Sequence, residues 1–285
     1  MLKHRLILGT LMTVFFIAVV IFGGWFDGSL TASAADDKPV QATFLCILIV
    51  VLIFPVQFEL AKLAAANGLK IFAPVSIAAS ILFATTWYWP QLINIQPAVY
   101  LLFLSAFTLL VLLLYQYICY GTSGVLANCG ANYFSVIYLG LFSVFVSAVR
   151  IDFGPWALLM YVFVVKSADI GAYTIGKPFG RHKFSPRISP GKTWEGMAGA
   201  VATAVIVAVS FAVSCDIMSW PAAVLFGCCF AFIGQFGDLA ESMLKRDAEQ
   251  KDSANTVPGF GGILDVIDSP LMAAPFAYLF FICCG

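Results

Sequence analysis

Apolar residues run along this chain in long blocks separated by short polar ones, without the strict alternation that marks half-buried strands. Taking a membrane span as roughly 17–25 mostly apolar residues, the pattern predicts helices near 6–24, 42–58, 70–89, 97–118, 132–149, 156–175, 195–214, 221–241 and 264–284. The expected fold is all-α: a polytopic membrane protein with about nine transmembrane helices. Lys3-His4-Arg5, the loop with Lys62 and Lys70, and the loops 176–193 and 242–262 all fall on one side if the N-terminus is inside. The excess of Lys and Arg puts that side in the cytoplasm. The opposite side receives 25–41, 90–96, 150–155, 215–220 and the C-terminus. Trp25, Trp87, Trp89, Trp156 and Trp220 lie near predicted span ends and read as interfacial anchors.

The first span has a competing reading. Lys3-His4-Arg5, an apolar run and Ala32-Ser33-Ala34 resemble the three regions of a signal peptide. The run is longer than the usual 7–15 residues of such a segment, which favours a retained helix. Loop 25–41 is polar in either case.

Composition agrees with the hydropathy pattern. Of 285 residues 61% are hydrophobic and 11% charged, against about 25% charged in soluble domains. The net charge is zero, without the basic excess of a nucleic-acid binder, so no nucleic-acid partner is expected. The partners are membrane lipids, in an integral multi-pass protein of a bacterial-type inner membrane, and a homodimer is left open. Cys46, Cys228, Cys229, Cys283 and Cys284 sit inside apolar runs, and no Cys/His metal spacing occurs. Nine of the fifteen Lys and Arg fall between Lys166 and Lys192 or between Lys245 and Lys251. The chain therefore divides into N-terminal transmembrane helices over 1–150 and a C-terminal catalytic transmembrane region over 151–285. Its charged site is expected at the cytoplasmic ends of the C-terminal helices.

On a helix, Asp238, Glu241, Ser242, Lys245 and Arg246 share one face of the last span before loop 242–262. Asp265 and Asp268 open the next span one turn apart, just after Gly259 and Gly261-Gly262 allow a sharp bend. Two helix ends can then bring Asp238 and Asp265 together. Converging carboxylates are resolved by a divalent ion, and hard oxygen ligands with phosphates favour Mg²⁺. Lys245, Arg246 and Lys251 are then phosphate partners. The alternative for Asp238 is an interhelical salt bridge. Glu59 and Lys62, three residues apart on a helix, read as a local pair or as a lining of the cavity.

A second cluster places Asp169, Tyr173 and Gly176 on one helix face, followed by Lys177, Arg181, Lys183, Arg187, Lys192 and Glu195 around Gly180 and Ser189-Pro190-Gly191. A basic loop shaped by Gly and Pro at a membrane surface suits a polyphosphate or an anionic lipid head group. Taken alone, it is equally well a positive-inside topology signal. It is not a P-loop: Pro186 occupies the first glycine position, and no strand leads into it.

The run Ser242-x-Leu244-Lys245-Arg246-x4-Lys251-Asp252-x-Ala254-x2-Val257-Pro258-x-Phe260-Gly261-Gly262-Ile263-x-Asp265-Val266-Ile267-Asp268 resembles the signature of the phosphatidate cytidylyltransferases, or CDP-diacylglycerol synthases. Asp169, Ala172-Tyr173, Gly176-Lys177, Gly180-Arg181 and Ser189-Pro190-Gly191-Lys192-Thr193-x-Glu195-Gly196 are similar to that family's other shared stretch. The likeness covers roughly the last 120 residues, with many fixed offsets. Phe260 stands where the family has histidine and Val266 where it has arginine; Val257 is a mild change. The resemblance implies transfer of CMP from CTP to phosphatidate, giving CDP-diacylglycerol and pyrophosphate with Mg²⁺. It implies Asp238 and Asp265 as metal ligands, Asp268 as a supporting acid, and Lys245, Arg246 and Lys251 at phosphates. Asp169, Tyr173, Lys177, Arg181, Lys192 and Ser242 are expected at substrate. A related CTP-dependent enzyme acting on a polyprenol or another lipid, or a transporter of anionic solutes, are the alternatives.

Overall fold

A computed structural model describes residues 2–30 and 37–284, with side chains from residue 7 onward. The Lys3-His4-Arg5 side chains and the segment Ala32-Ser33-Ala34 lie outside what is described. Every regular element among the described residues is a helix: α1 (Leu2–Asp27), α2 (Thr43–Ala66), α3 (Ala73–Ala84), α4 (Pro97–Tyr120), α5 (Val125–Val136), α6 (Phe142–Phe179), α7 (Trp194–Cys215), α8 (Trp220–Asp247) and α9 (Leu264–Cys284). In an apolar medium each backbone polar group must find its partner within the chain, and helices achieve this segment by segment.

Seven helical stretches among the described residues are long and apolar enough to cross a membrane. The nine predicted segments differ from these in two places. The segment 70–89 contains only the twelve-residue α3, roughly 18 Å long at 1.5 Å per residue. The segments 132–149 and 156–175 belong to one 55-residue run, Val125–Phe179, far longer than a bilayer core of about 30 Å. That run breaks twice. Ile137–Leu141 forms a π turn between α5 and α6, and Gly154 leaves helical geometry at φ 85°, ψ 178°. This conformation is open to glycine, and the following Pro155 has no N–H to satisfy. The boundary predicted at 150/151 falls inside α6, close to this break.

Helices α6 to α9 pack together as the core that positions the charged residues. Ala200, Ala204, Ala208 and Ala212 of α7 are all buried and, spaced by four, form one stripe. Near the charged end, a Cβ on Gly199 would lie 2.6 Å from the carbonyl oxygen of Gly171. Small residues let helix backbones approach where lipid gives no hydrophobic incentive to associate. The large apolar side chains that remain exposed, such as Leu102, Ile118, Leu126 and Val213, face outward as lipid contacts.

In the N-terminal half, Asn132 ties α5 to the start of α3. Its Oδ1 accepts from Phe72 N–H at 2.5 Å and Ser76 Oγ at 2.8 Å, while its Nδ2 donates to Lys70 O at 2.7 Å. Helix α1 is part of the fold: Val20 is buried in the main core, and Asp27 binds Arg150 of α6 at 2.9 Å. Asp27 also accepts from Ala42 N–H at 3.0 Å, so one carboxylate joins α1, α2 and α6. Asp27→Ala leaves Arg150 buried and unpaired, and is expected to cost about 3–5 kcal/mol, read from unfolding of the detergent-solubilised protein. Adding Arg150→Met should recover most of that loss; a single variant as stable as the parent would show the pair to be a bystander.

Candidate active site

Helix α8 carries a polar face through its last three turns because Asp238, Glu241, Ser242 and Lys245 recur at helical spacing. Glu241, Ser242 and Lys245 are buried, whereas Arg246 is exposed. Helix α9 begins beside them with Asp265 and Asp268, and α6 contributes Lys166 and Asp169. These three helices place five carboxylates and two lysines at one end of the bundle. A third lysine, Lys192, enters from the 180–193 loop.

The contacts form a chain of alternating charge. Lys192 Nζ lies 2.8 Å from Asp238 Oδ2 and donates to Gln235 O at 2.9 Å. Gln235 Nε2 in turn donates to Asp169 Oδ1 at 2.9 Å. Lys166 Nζ stands 3.9 Å from Asp169 Oδ2 and 3.8 Å from Asp268 Oδ1. Lys245 Nζ is 2.5 Å from Asp265 Oδ1 and also pairs with Glu241. Asp265 Oδ2 accepts from Gly262 N–H at 2.6 Å and from Ser253 N–H at 3.1 Å. The Ser253 hydroxyl lies 2.9 Å from the same oxygen.

Asp238, Glu241 and Asp268 each offer a carboxylate oxygen, and the three atoms lie within 4.8 Å of one another. Glu241 is fully buried, and Lys245, which pairs with it, is shared with Asp265. With every group ionised, five carboxylates against three lysines leave two negative charges uncompensated. Removing such charge from water is costly without a partner. The oxygen triplet, beside a Lys245 that Glu241 shares with Asp265, fits a hard divalent cation.

The placement differs from the sequence expectation at several residues. The structure groups Asp238 with Glu241 and Asp268; Asp265 is not in that triplet, being filled by Lys245, Ser253 and Gly262. Asp268 is the α9 acid that reaches Asp238. Lys245 is engaged with two acids, and Arg246 bridges the loops, Nε to Ile188 O at 3.3 Å and Nη1 to Gln250 O at 3.1 Å. Helix α8 continues to Asp247, so the second loop begins at 248 rather than 242. Ser242 Oγ reaches Asp238 Oδ1 at 3.4 Å. Asp169 and Lys192, expected at substrate, stand in the cluster, against Gln235 and Asp238 respectively. Tyr173 and Lys177 instead meet each other on the exposed surface of α6, Nζ to Oη at 2.9 Å. Arg181 and Lys251 are exposed in the two loops. Glu241 and Lys166 were not predicted as site residues. Their signals were present: Glu241 lies one turn from Asp238 on the same face, and Lys166 precedes Asp169 by three residues within an apolar span.

A family model described as the cytidylyltransferase family matches residues 3–284. This chain belongs to the cytidylyltransferase family. Among curated relatives, a phosphatidate cytidylyltransferase of Bacillus subtilis (strain 168) is 36% identical over 178 residues, covering 61% of this chain and 66% of the relative. That of Haemophilus influenzae is 41% identical over 131 residues, covering 44% of this chain and 46% of its own length. That of Pseudomonas aeruginosa is 41% identical over 120 residues, covering 41% and 44%. The chain thus spans from under half to about two thirds of these relatives.

In this member of the family the segment 257–261 folds into a tight turn. Val257 N–H donates to Gly261 O at 2.8 Å, and Gly261 N–H returns to Val257 O at 3.1 Å. Gly261 adopts φ 109°, and a Cβ there would lie 2.5 Å from Asp265 Oδ2. Phe260 turns outward onto α1, its Cζ 3.1 Å from where a Cβ on Gly9 would stand. This apolar contact accounts for an aromatic hydrocarbon at the position. Gly261→Ala is expected to destabilise by more than about 1 kcal/mol in thermal unfolding. Gly191→Ala, with nothing within 4 Å of its Cβ, should unfold with the parent; equal behaviour of both variants would deny the turn its role.

Proposed function

We propose that this chain transfers CMP from CTP to phosphatidate, giving CDP-diacylglycerol and pyrophosphate, at the end of the bundle where α6, α8 and α9 meet. The observation that carries the reading is the triplet Asp238, Glu241 and Asp268, whose carboxylate oxygens lie within 4.8 Å of one another, in a chain whose relatives are named phosphatidate cytidylyltransferase. A phosphatidate oxygen forms the new bond to the α-phosphorus of CTP as the bond to pyrophosphate breaks, and positioning with electrostatics supplies most of the catalysis. A bound Mg²⁺ supplies positive charge to the phosphates gathered there. Asp238, Glu241 and Asp268 are the residues that would hold it. Lys192 is tied to Asp238 yet belongs to a loop, so it can exchange that carboxylate for a phosphate. Arg181 and Lys251, exposed at the same end, attract the trailing phosphates of a nucleotide. Lys245 serves chiefly to hold Glu241 and Asp265 in place. The apolar bundle keeps the lipid's chains in the membrane while its phosphate meets the charged end.

The assay is purified protein with CTP, Mg²⁺ and phosphatidate, read as pyrophosphate release and a new liponucleotide. Turnover supports the reading. Turnover only with a polyprenyl phosphate, or solute flux without any turnover, would replace it. Asp238→Asn and Asp268→Asn are expected to lower kcat by orders of magnitude with the fold intact. Near-normal turnover of either at saturating Mg²⁺ would remove that residue from the metal site. Light scattering on the same preparation decides between monomer and homodimer.

The site is proposed to face the cytoplasm. Arg246 joins the two loops at one end of the bundle, and Arg181, Lys183, Arg187 and Lys192 of the first loop, with Lys245, Arg246 and Lys251 beside the second, favour the inside. In a background without native cysteines, cysteines placed at the exposed positions Lys183 and Asn255 should both be labelled from the cytoplasmic side. Protection of both from that side, with labelling from the other, would invert the orientation.

A further inference from the structure

Glu59 lies in α2, far from the charged run in sequence, and it is buried. The pairing with Lys62 expected from their spacing is not made. Each of its carboxylate oxygens accepts one hydroxyl and one backbone N–H from the segment leading into α9. Oε1 takes Thr256 Oγ1 at 2.7 Å and Ile263 N–H at 2.9 Å. Oε2 takes Ser253 Oγ at 3.0 Å and Leu264 N–H at 2.9 Å. No cation pairs with Glu59 among the described residues, so four donors stabilise the charge, and the two amides belong to the amino end of α9, where a negative charge is favoured. Ser253 Oγ stands between Glu59 Oε2 and Asp265 Oδ2, at 3.0 and 2.9 Å. Its single hydrogen serves one carboxylate at a time, and the hydroxyl thereby links α2 to Asp265.

We infer that Glu59 is a positioning residue for the transfer reaction: from the N-terminal half it fixes the 253–263 loop and the start of α9, and through them Asp265, Lys245 and Asp268. The inference rests on the proposed activity for its catalytic consequence and on geometry alone for its structural one. The carboxylate is required in full. In Glu59→Gln one end of the side chain becomes an NH₂ facing a backbone N–H; the hydroxyl beside it can turn to accept, but the amide cannot. One of the two backbone anchors is lost while volume is kept.

The test uses full-length protein in detergent, comparing the parent with Glu59→Gln, Glu59→Ala and, as a control on the exposed side of the same helix, Lys62→Ala. Hydrogen exchange reads the loop without reference to activity. Amides in 253–264 should exchange about tenfold faster or more in both Glu59 variants, with α6 and α7 unchanged. Kinetics reads the catalytic consequence: kcat should fall on the order of tenfold to a hundredfold, with KM for CTP within about threefold, and Lys62→Ala should match the parent. Unchanged exchange in both Glu59 variants would overturn the inference. So would faster exchange throughout the chain, which would mark Glu59 as a general stabiliser, or a loosened loop with undiminished kcat. If the parent itself shows no turnover with CTP and phosphatidate, the proposed activity fails and catalytic positioning fails with it, while exchange still decides whether Glu59 organises the loop.

Discussion

The structure depends on compensating charge in apolar surroundings. Asp169, Asp238, Glu241, Asp265 and Asp268 gather at one end of a bundle whose other walls are alanine, valine and phenylalanine, and among the described residues Lys166, Lys192 and Lys245 are the cations paired with them. In such a medium an ionised group is tolerated when it is paired, hydrogen-bonded or joined to a metal. Most of the local architecture meets that requirement: Lys245 between Glu241 and Asp265, Lys166 between Asp169 and Asp268, Lys192 drawn from its loop onto Asp238. Lys166 and Lys245 are each shared between two acids, so Asp238, Glu241 and Asp268 stand together with less than one lysine apiece. That shortfall is the chemical basis for placing a cation and phosphates there.

The same requirement explains how the two halves are joined. The N-terminal helices look in sequence like generic spans, yet besides their apolar packing two of their connections to the C-terminal half run through buried carboxylates. Asp27 meets Arg150 at the far end, and Glu59 meets the loop before α9 at the charged end. Hydrogen bonds to charged groups are stronger than neutral ones, and a buried carboxylate left unsatisfied is expensive. The N-terminal half therefore locates the loop that carries Ser253 and Gly262, and with it Asp265.

Close packing then sets how near the charged groups come. Gly171 and Gly199 bring α6 and α7 within backbone contact, and the break at Gly154 lets a 55-residue helical run change course. Without that approach and that break, Lys166 and Asp169 of α6 would not share one end with the acids of α8 and α9. The turn at 257–261 acts over a shorter range, presenting the Gly262 N–H to Asp265.

Sequence alone determined the solvent in which this chain folds, its helical class, the approximate position of its apolar segments and the family signature, because hydropathy and motif offsets are local properties. The face of α8 was legible for the same reason: Asp238, Glu241 and Lys245 lie at helical spacing. Their partners were not. Whether Asp265 or Asp268 reaches Asp238 depends on the depth and rotation of α9 relative to α8, and the spacing of three within α9 leaves both open. The partners of Lys166 on α9 and of Glu59 in the loop before α9, and the engagement of Lys245 with two acids, were equally out of reach. They depend on contacts between residues tens to hundreds of positions apart, and those contacts exist only once the helices have packed and each buried charge has found its partner.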